Sequence, residues 1–281
     1  MMNNEKLIWS GKNFSFDLTD KPIIYSIVNV TPDSFYDGNE RNLEIDYIVN
    51  RVQADLDNGA DVIELGAKSS RPGYEDISPE QEWERLKEPL EILRQKFPQT
   101  VLAIDTDEAY VMEQGLQAGA DIINDIDGFD TEEKLEIIAK YQPAVVSMNN
   151  GRTEFQYAEC VADEFPAFFQ ANTQKLLQIG LKKENIAIDA GVGFYTGDNK
   201  YDALERIKST AKLTQLGFPI MVAISRKSFM THIFDVPVED RLIPTLLFEA
   251  KMIADGGRIL RVHDVKATRL LIDGLKIYQE H

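Results

Sequence analysis

The chain reads as an α/β protein, a TIM (β/α)8 barrel with a short N-terminal hairpin, occupying residues 1–281 as a single domain. Three observations carry that expectation. Eight short apolar runs alternate with eight stretches of helical periodicity, within the roughly 250 residues such barrels use. The runs are apolar without alternation, as in parallel strands covered on both faces. Nearly every run ends in polar or charged residues, and in a barrel of parallel strands that end carries the chemistry. An open doubly wound sheet is the competing architecture, but the first run is not followed by the GxGxxG turn that such sheets usually show.

Residues 7–16 alternate apolar and polar around Gly11-Lys12, as a hairpin would, and are placed to plug one end of the barrel. The first strand is expected at 23–30, followed by a loop rich in Pro, Asp, Ser and Gly and a helix over 44–58 with Ile45, Ile48, Val49, Val52 and Leu56 on one face. A strand at 61–66 precedes a long loop. Ser78, Pro79 and Gln81 then form a capping box that opens a helix. Further strands are expected at 101–105, 121–125, 144–148, 186–189, 220–225 and 259–262. The helices between and after them are expected near 108–118, 131–140, 163–179, 201–216, 238–254 and 267–279, with Pro244 marking a kink or a late start.

Composition excludes several classes of function. Forty-seven acidic against 30 basic residues leave a formal charge of −17, which argues against nucleic acid or an anionic membrane surface as partner. A small anionic ligand in one local basic pocket remains compatible. The single cysteine, Cys160, allows neither an intramolecular disulfide nor a cysteine-based metal site. No apolar run is long enough for a signal peptide or a membrane span. A soluble, cytoplasmic protein is expected.

Chemistry concentrates where the runs end. The segment IMVAISRKSF, residues 220–229, passes from an apolar strand directly into Ser225, Arg226, Lys227 and Ser228. Two cations beside a core are costly unless something anionic sits there. The other runs lead to Asn29 with Asp33 and Asp37, to Ser69, Ser70 and Arg71, to Asp105, and to Asn124 with Asp125. The remaining ones lead to Met148, Asn149 and Asn150, to Asp189 with Gly191, Gly193 and Phe194, and to Arg261, His263 and Asp264. Asp105, Asn124 and Asp189 suit a flat nitrogen heterocycle with N–H groups along its edge. Arg71, Lys227, Arg261 and His263 suit a phosphate-bearing group. Asn29, with acidic neighbours and phosphate oxygens, could complete a Mg2+ site. Singly, each residue has an ordinary structural use: Asp105 as a helix cap, Arg261 as a surface ion pair, Cys160 as packing. Their convergence on one rim is what points to a ligand.

These residues also carry a resemblance. NVTPDSFYDG at 29–38, SSRPG at 69–73, IDT at 104–106, AGADIINDIDG at 118–128, DAGVGF at 189–194, SRKSF at 225–229 and RVHDV at 261–265 occur in the order of the dihydropteroate synthase family, across nearly the whole chain. The resemblance implies a pterin-binding barrel that condenses 6-hydroxymethyl-7,8-dihydropterin diphosphate with p-aminobenzoate, releasing diphosphate. It implies that Asp105, Asn124, Asp189 and Lys227 hold the pterin, that Asn29 helps bind Mg2+, and that Arg261 and His263 meet the diphosphate. Arg71, Pro72, Phe194, Lys227 and Ser228 would frame the p-aminobenzoate, Ser70 would be a further substrate-binding residue, and Asp37 would face the developing cation. Asp37, Lys227 and Arg71 are the expected catalytic group, and a homodimer is the expected assembly.

The chain departs from the family pattern at Ser147-Met148-Asn149-Asn150, where a Met-His-Met type segment is usual, at Ala190 in place of proline, at Tyr195-Thr196, and at Lys68 in place of an acidic residue. Two alternatives follow. One is a paralogue that binds a pterin or folate without catalysis, as a regulatory or partner protein. The other is a pterin methyltransferase barrel, which would have no use for the basic turn at 225–228 together with Arg261 and His263.

Overall fold

The computed structural model describes residues 6–31, 44–68, 77–150, 161–194 and 201–281. Two short strands, β1 (Ile8–Ser10) and β2 (Ser15–Asp17), pair antiparallel with Trp9 opposite Phe16. Their turn is closed by the Gly11 N–H donating to the Phe14 carbonyl at 3.0 Å. The barrel then alternates β3 (Ile23–Asn29), α1 (Ile45–Asp57), β4 (Val62–Gly66), α2 (Pro79–Lys96), β5 (Val101–Asp105), α3 (Ala109–Gln117), β6 (Ile122–Asp125) and α4 (Glu132–Tyr141). It continues with β7 (Ala144–Met148), α5 (Val161–Gln178), β8 (Ile186–Asp189), α6 (Asp202–Leu213), β9 (Ile220–Val222), α7 (Phe229–Phe234), α8 (Leu242–Ala254), β10 (Ile259–Val262) and α9 (Val265–Glu280). Strands β3 to β10 close in sequence order, β10 pairing with β3. All eight pairings are parallel.

Because side chains alternate along a strand, each apolar run supplies two cores. Leu102 and Ile104 of β5 face outward into the cluster that α2 completes with Trp83, Leu86, Leu90 and Leu93. Val101 and Ala103 face inward, with Ile23, Tyr25, Val62, Ile122, Ala144, Val146, Ala187, Met221 and Ile259. The inner cluster is built mainly from the first halves of the strands, and Trp9 and Leu18 of the hairpin segment belong to it. The hairpin therefore plugs the N-terminal end. Trp9 is fully buried, packs edge-on to Phe14 at 5.5 Å, and lies 6.3 Å from Tyr25 inside the barrel. The C-terminal end is left to polar side chains.

Helix α2 begins as expected. The Ser78 hydroxyl accepts from the Gln81 N–H at 3.3 Å, and the Gln81 side chain accepts from the Ser78 N–H at 3.1 Å. Differences from the sequence expectation cluster in the last third. Strand β9 stops at Val222 rather than 225, its last paired residue; Ala223 and Ile224 stay buried beyond it, and the chain turns at Arg226, which takes a left-handed conformation (φ 53°). Helix α7 was not expected: at six residues, FMTHIF is too short to show a period. The next helix starts at Leu242, after a tight turn at Val238–Arg241, with Pro244 in its first turn. There a missing N–H is no loss, so the late start is realised and the kink is not. Helix α6 ends at Leu213 and tightens over Thr214–Leu216 before Gly217.

Trp9→Ala should lower the free energy of unfolding by about 3–5 kcal/mol in denaturant titration, as expected for emptying a fully buried aromatic site. A loss below about 1 kcal/mol would show that the hairpin does not complete the barrel core.

Candidate functional site

Strand register builds the site. The Cα partners Asn29, Gly66, Asp105 and Asn124 form one row across β3, β4, β5 and β6. They share the inward parity of Tyr25, Val62, Ala103 and Ile122. Gly66 carries no side chain, so the row has a gap between Asn29 and Asp105. Farther round, Met148 of β7 is paired with Asp189 of β8.

Beneath this rim lies a charged floor. Glu64 of β4 is completely buried. It accepts from Arg261 Nε at 2.7 Å through Oε1 and from Asn124 Nδ2 at 2.9 Å through Oε2. Arg261 Nη2 also donates to Asp105 Oδ2 at 2.5 Å. Asp189 Oδ1 accepts from the Gly191 N–H at 2.9 Å. Thus Asp105 and Asp189 each commit one oxygen to the protein, and Asn124 commits its nitrogen. Among the described residues nothing donates to Asp105 Oδ1, Asn124 Oδ1 or Asp189 Oδ2, leaving three acceptor oxygens for a ligand.

Burial acts on every charge here. It pushes Asp105 up to about 7, against the pull of Arg261, with Glu64 adding to the rise. It also raises Asp189, against Lys227. It lowers Lys227 to about 8, opposed by Asp189. Burial and the Glu64 carboxylate together hold the proton on Tyr25, well above the usual phenol range. Burial therefore penalises the charges of the pocket, and N–H donors or an anion from a ligand would relieve the penalty.

The basic turn divides its two cations. Arg226 points away from the pocket. It is nearly buried and holds Asp264 through two bonds of 2.7 and 2.9 Å, with its Nη1 on the Val238 and Glu239 carbonyls. Lys227 donates to the Val192 carbonyl at 2.6 Å, and its ammonium lies 4.5 Å from the centre of the Phe194 ring. Ser228 follows as the residue before α7 and makes no side-chain cap bond. His263 Nδ1 sits 3.1 Å from Ser225 Oγ, which also accepts the His263 backbone N–H at 3.2 Å.

A second buried arginine supports the opposite wall. Arg206 of α6 places one Nη on the Asn149, Ala190 and Gly191 carbonyls at 3.0, 2.8 and 3.1 Å. It also covers the Phe165 ring at 4.9 Å. This clamp requires glycine at 191: φ is +64°, and a Cβ would stand 2.0 Å from the Asn149 carbonyl oxygen.

The structure thus joins Asp105 to Arg261 directly and Asn124 to Arg261 through Glu64, and sets Asp189, Lys227 and Phe194 around the same rim, with Asn29 beside Gly66. His263 and Ser228 follow β10 and β9. Asp37, Ser70, Arg71 and Pro72 lie outside the described residues, as do Tyr195 and Thr196. Glu64 was missed by sequence reasoning. Its signal was a lone carboxylate inside the apolar strand VIELG, at the inward parity of Val62 and Gly66. Among the described residues no group of three or more His, Cys, Asp or Glu is placed to hold a metal.

Comparison with known proteins agrees with this geometry. A family profile described as pterin-binding enzyme matches residues 25–263. A dihydropteroate synthase of Clostridium beijerinckii is 36% identical over 253 residues, covering 89% of this chain and 91% of that protein. The chain belongs to the dihydropteroate synthase family. Its function is that of the family, and it is a transferase. Among solved structures, a Yersinia pestis dihydropteroate synthase with a sulfonamide drug complex superposes with a TM-score of 0.88 at 29% identity, covering 97% of this chain and 99% of that one. A Xanthomonas albilineans dihydropteroate synthase with 4-aminobenzoic acid gives 0.86 at 27% identity, covering 98% of each.

Seen as a dihydropteroate synthase, the chain directs several of its described sequence departures away from the pocket. Ser147 turns outward and donates to Asn172 at 2.6 Å, while Asn150 donates to Asp127. Met148 is the inward residue of that segment. Lys68 pairs with Asp107 and Glu108 at 3.2 and 2.9 Å. Ala190 offers its carbonyl to Arg206.

The free enzyme should show a narrow bell-shaped kcat/KM for its pterin substrate. If Asp105 binds a ring N–H as the carboxylate, the stronger acceptor, activity falls below about 7. If Lys227 acts as the ammonium, activity falls above about 8. A flat profile from about pH 6 to about pH 9 would contradict these assignments.

Proposed function

We propose that the described rim binds the pterin edge-on through Asp105, Asn124 and Asp189, and that Lys227 serves both reactants. The observation that carries this reading is the trio of inward oxygens whose partner atoms are already committed to the protein. A ring edge bearing N–H groups satisfies all three, and burial makes those bonds worth more than in water. Lys227 stands on the Phe194 ring and beside Asp189, so one ammonium neighbours the ring site and the aromatic that would flank p-aminobenzoate.

The reaction then needs little proton chemistry. As the diphosphate leaves, positive charge develops at the pterin methylene and negative charge on the leaving group. Lys227 and His263 lie where the anion would be stabilised. Arg261, already divided between Glu64 and Asp105, underlies the ring and adds positive potential rather than a free counter-ion. A carboxylate at Asp37 would steady the methylene cation, and Arg71, Ser70, Pro72 and Ser228 would orient the aryl amine, so that positioning supplies most of the rate. The Asn29 amide oxygen, at the rim beside Gly66, is the hard neutral donor that Mg2+ accepts alongside phosphate and water ligands. When bound, the metal supplies further charge to the diphosphate. We place the reaction in the cytoplasm, with the whole chain acting as one pterin-binding unit. No described helix is long and apolar enough to cross a membrane.

We further propose a homodimer through α8 and α9. These adjacent helices expose Ile243, Leu247, Leu270 and Ile277 at 60–79%, more large apolar side chains than a soluble monomer usually leaves open in one region. A twofold pairing would cover them with the same surface of a second copy.

Diphosphate release should follow mixing of the protein with the pterin diphosphate, p-aminobenzoate and Mg2+. Lys227→Ala should cut kcat/KM by roughly 10²–10³-fold, and Asp189→Asn should weaken pterin binding by about 2–3 kcal/mol in calorimetry. Tight pterin binding with no release would instead identify a non-catalytic pterin binder. Sedimentation should show a dimer that Leu247→Asp with Leu270→Asp converts to monomer; a monomeric wild type would remove the proposed interface.

A further inference from the structure

Glu64 has no part in the roles assigned above, yet it is the most enclosed charge of the site. Its two oxygens are divided, one to Arg261 Nε at 2.7 Å and one to Asn124 Nδ2 at 2.9 Å, and its relative exposure is zero. An asparagine amide is a two-ended group, oxygen at one end and N–H donors at the other, and the ends differ little in shape. Left to itself it could present either end to a bound ring. A carboxylate engaged by an arginine has no proton to give, so only the nitrogen end of Asn124 can face Glu64. The oxygen end must then face away from it. A reversed amide would set oxygen against oxygen in a buried place, where an unmade bond is most costly.

We propose that Glu64 is a positioning residue that fixes the direction of the Asn124 amide, so that its oxygen meets an N–H of the bound heterocycle. This rests on the reading that the ring lies on Asp105, Asn124 and Asp189. Specificity for a ring edge carrying an amine at that point then originates one step below the ligand, in a residue that never touches it. Arg261 has a part in this: by occupying Oε1 it leaves Oε2 for the amide and keeps the carboxylate in place through its second tie to Asp105.

The test is polarity exchange. In Glu64→Gln the new side chain gives its oxygen to Arg261 and turns its amide nitrogen toward Asn124, so the Asn124 amide must reverse. KM and Kd for the pterin diphosphate should rise about 30–100-fold, while KM for p-aminobenzoate stays within about 2-fold and the melting temperature changes little. Adding Asn124→Asp restores an oxygen both toward the substituted side chain below and toward the ring above, at unchanged total charge. The double variant should bind pterin at least about 10-fold more tightly than Glu64→Gln alone.

A Glu64→Gln enzyme that binds pterin as well as wild type, or a folded double variant no tighter than the single, overturns the proposal. Should Glu64→Gln fail to fold, Glu64→Asp keeps the charge but draws it back from Asn124. It should raise the pterin KM alone, and an unchanged pterin KM overturns the proposal equally. Wild-type protein that binds no pterin would overturn the ring-site reading itself, a result separable from either variant outcome.

Discussion

Arg261 carries a full positive charge into the interior of a parallel barrel, where it is bonded at once to Glu64 and Asp105. Such charges are costly to desolvate and acceptable only when each is paired and hydrogen-bonded. Here the pairing is extended rather than closed. Glu64 passes the constraint to Asn124, and Asp105 passes it to the rim. The floor is internally satisfied, while the rim above it keeps oxygens in reserve. That asymmetry explains why burial displaces Asp105, Asp189 and Lys227 toward their neutral forms although oppositely charged partners are near. Counter-charges are present, but part of the hydrogen bonding that would complete them must come from a ligand.

Two buried arginines, Arg226 and Arg206, shape the rim without entering the pocket. Arg226 ties the turn after β9 to Asp264, just after β10. Its left-handed backbone is what sends the next residue, Lys227, back over Val192 and Phe194. Arg206 gathers the carbonyls that end β7 and β8. The planar fork of the guanidinium serves each task, since one group can satisfy several carbonyl or carboxylate oxygens at fixed angles. Three arginines thus have three different uses: floor, turn clamp and wall clamp. In a linear sequence they are indistinguishable.

Much of the fold could be read beforehand because its causes are periodic. Strand runs, helix faces and the Ser78 capping box each leave a local pattern, and the rim followed from where the runs stop. What escaped was non-periodic. Helix α7 is too short to show a stripe, and β9 was overextended because Ala223 and Ile224 remain buried after the sheet pairing has ended. The role of Arg226 depends on a backbone angle, and that of Glu64 on which strand faces which. Parity within VIELG would have placed Glu64 inside the barrel; only register reveals that Asn124 and Arg261 await it there.

The overall charge of −17 would at first sight oppose an anionic substrate. Range decides otherwise. Surface carboxylates act through water, where their fields are cut off within a Debye length of about 8–10 Å. Lys227 lies inside the barrel mouth, where the effective dielectric is low and its potential persists, while Arg261 is largely balanced by Glu64 and Asp105. An acidic exterior and an ammonium held at the barrel mouth are therefore compatible properties of one chain. The exterior discourages polyanions, which must lie along a surface, whereas a small diphosphate need only enter the mouth. On the proposed reading, the size of the anion and the depth of the ammonium would separate a pterin-linked phosphate from nucleic acid, ahead of any contact with the ring.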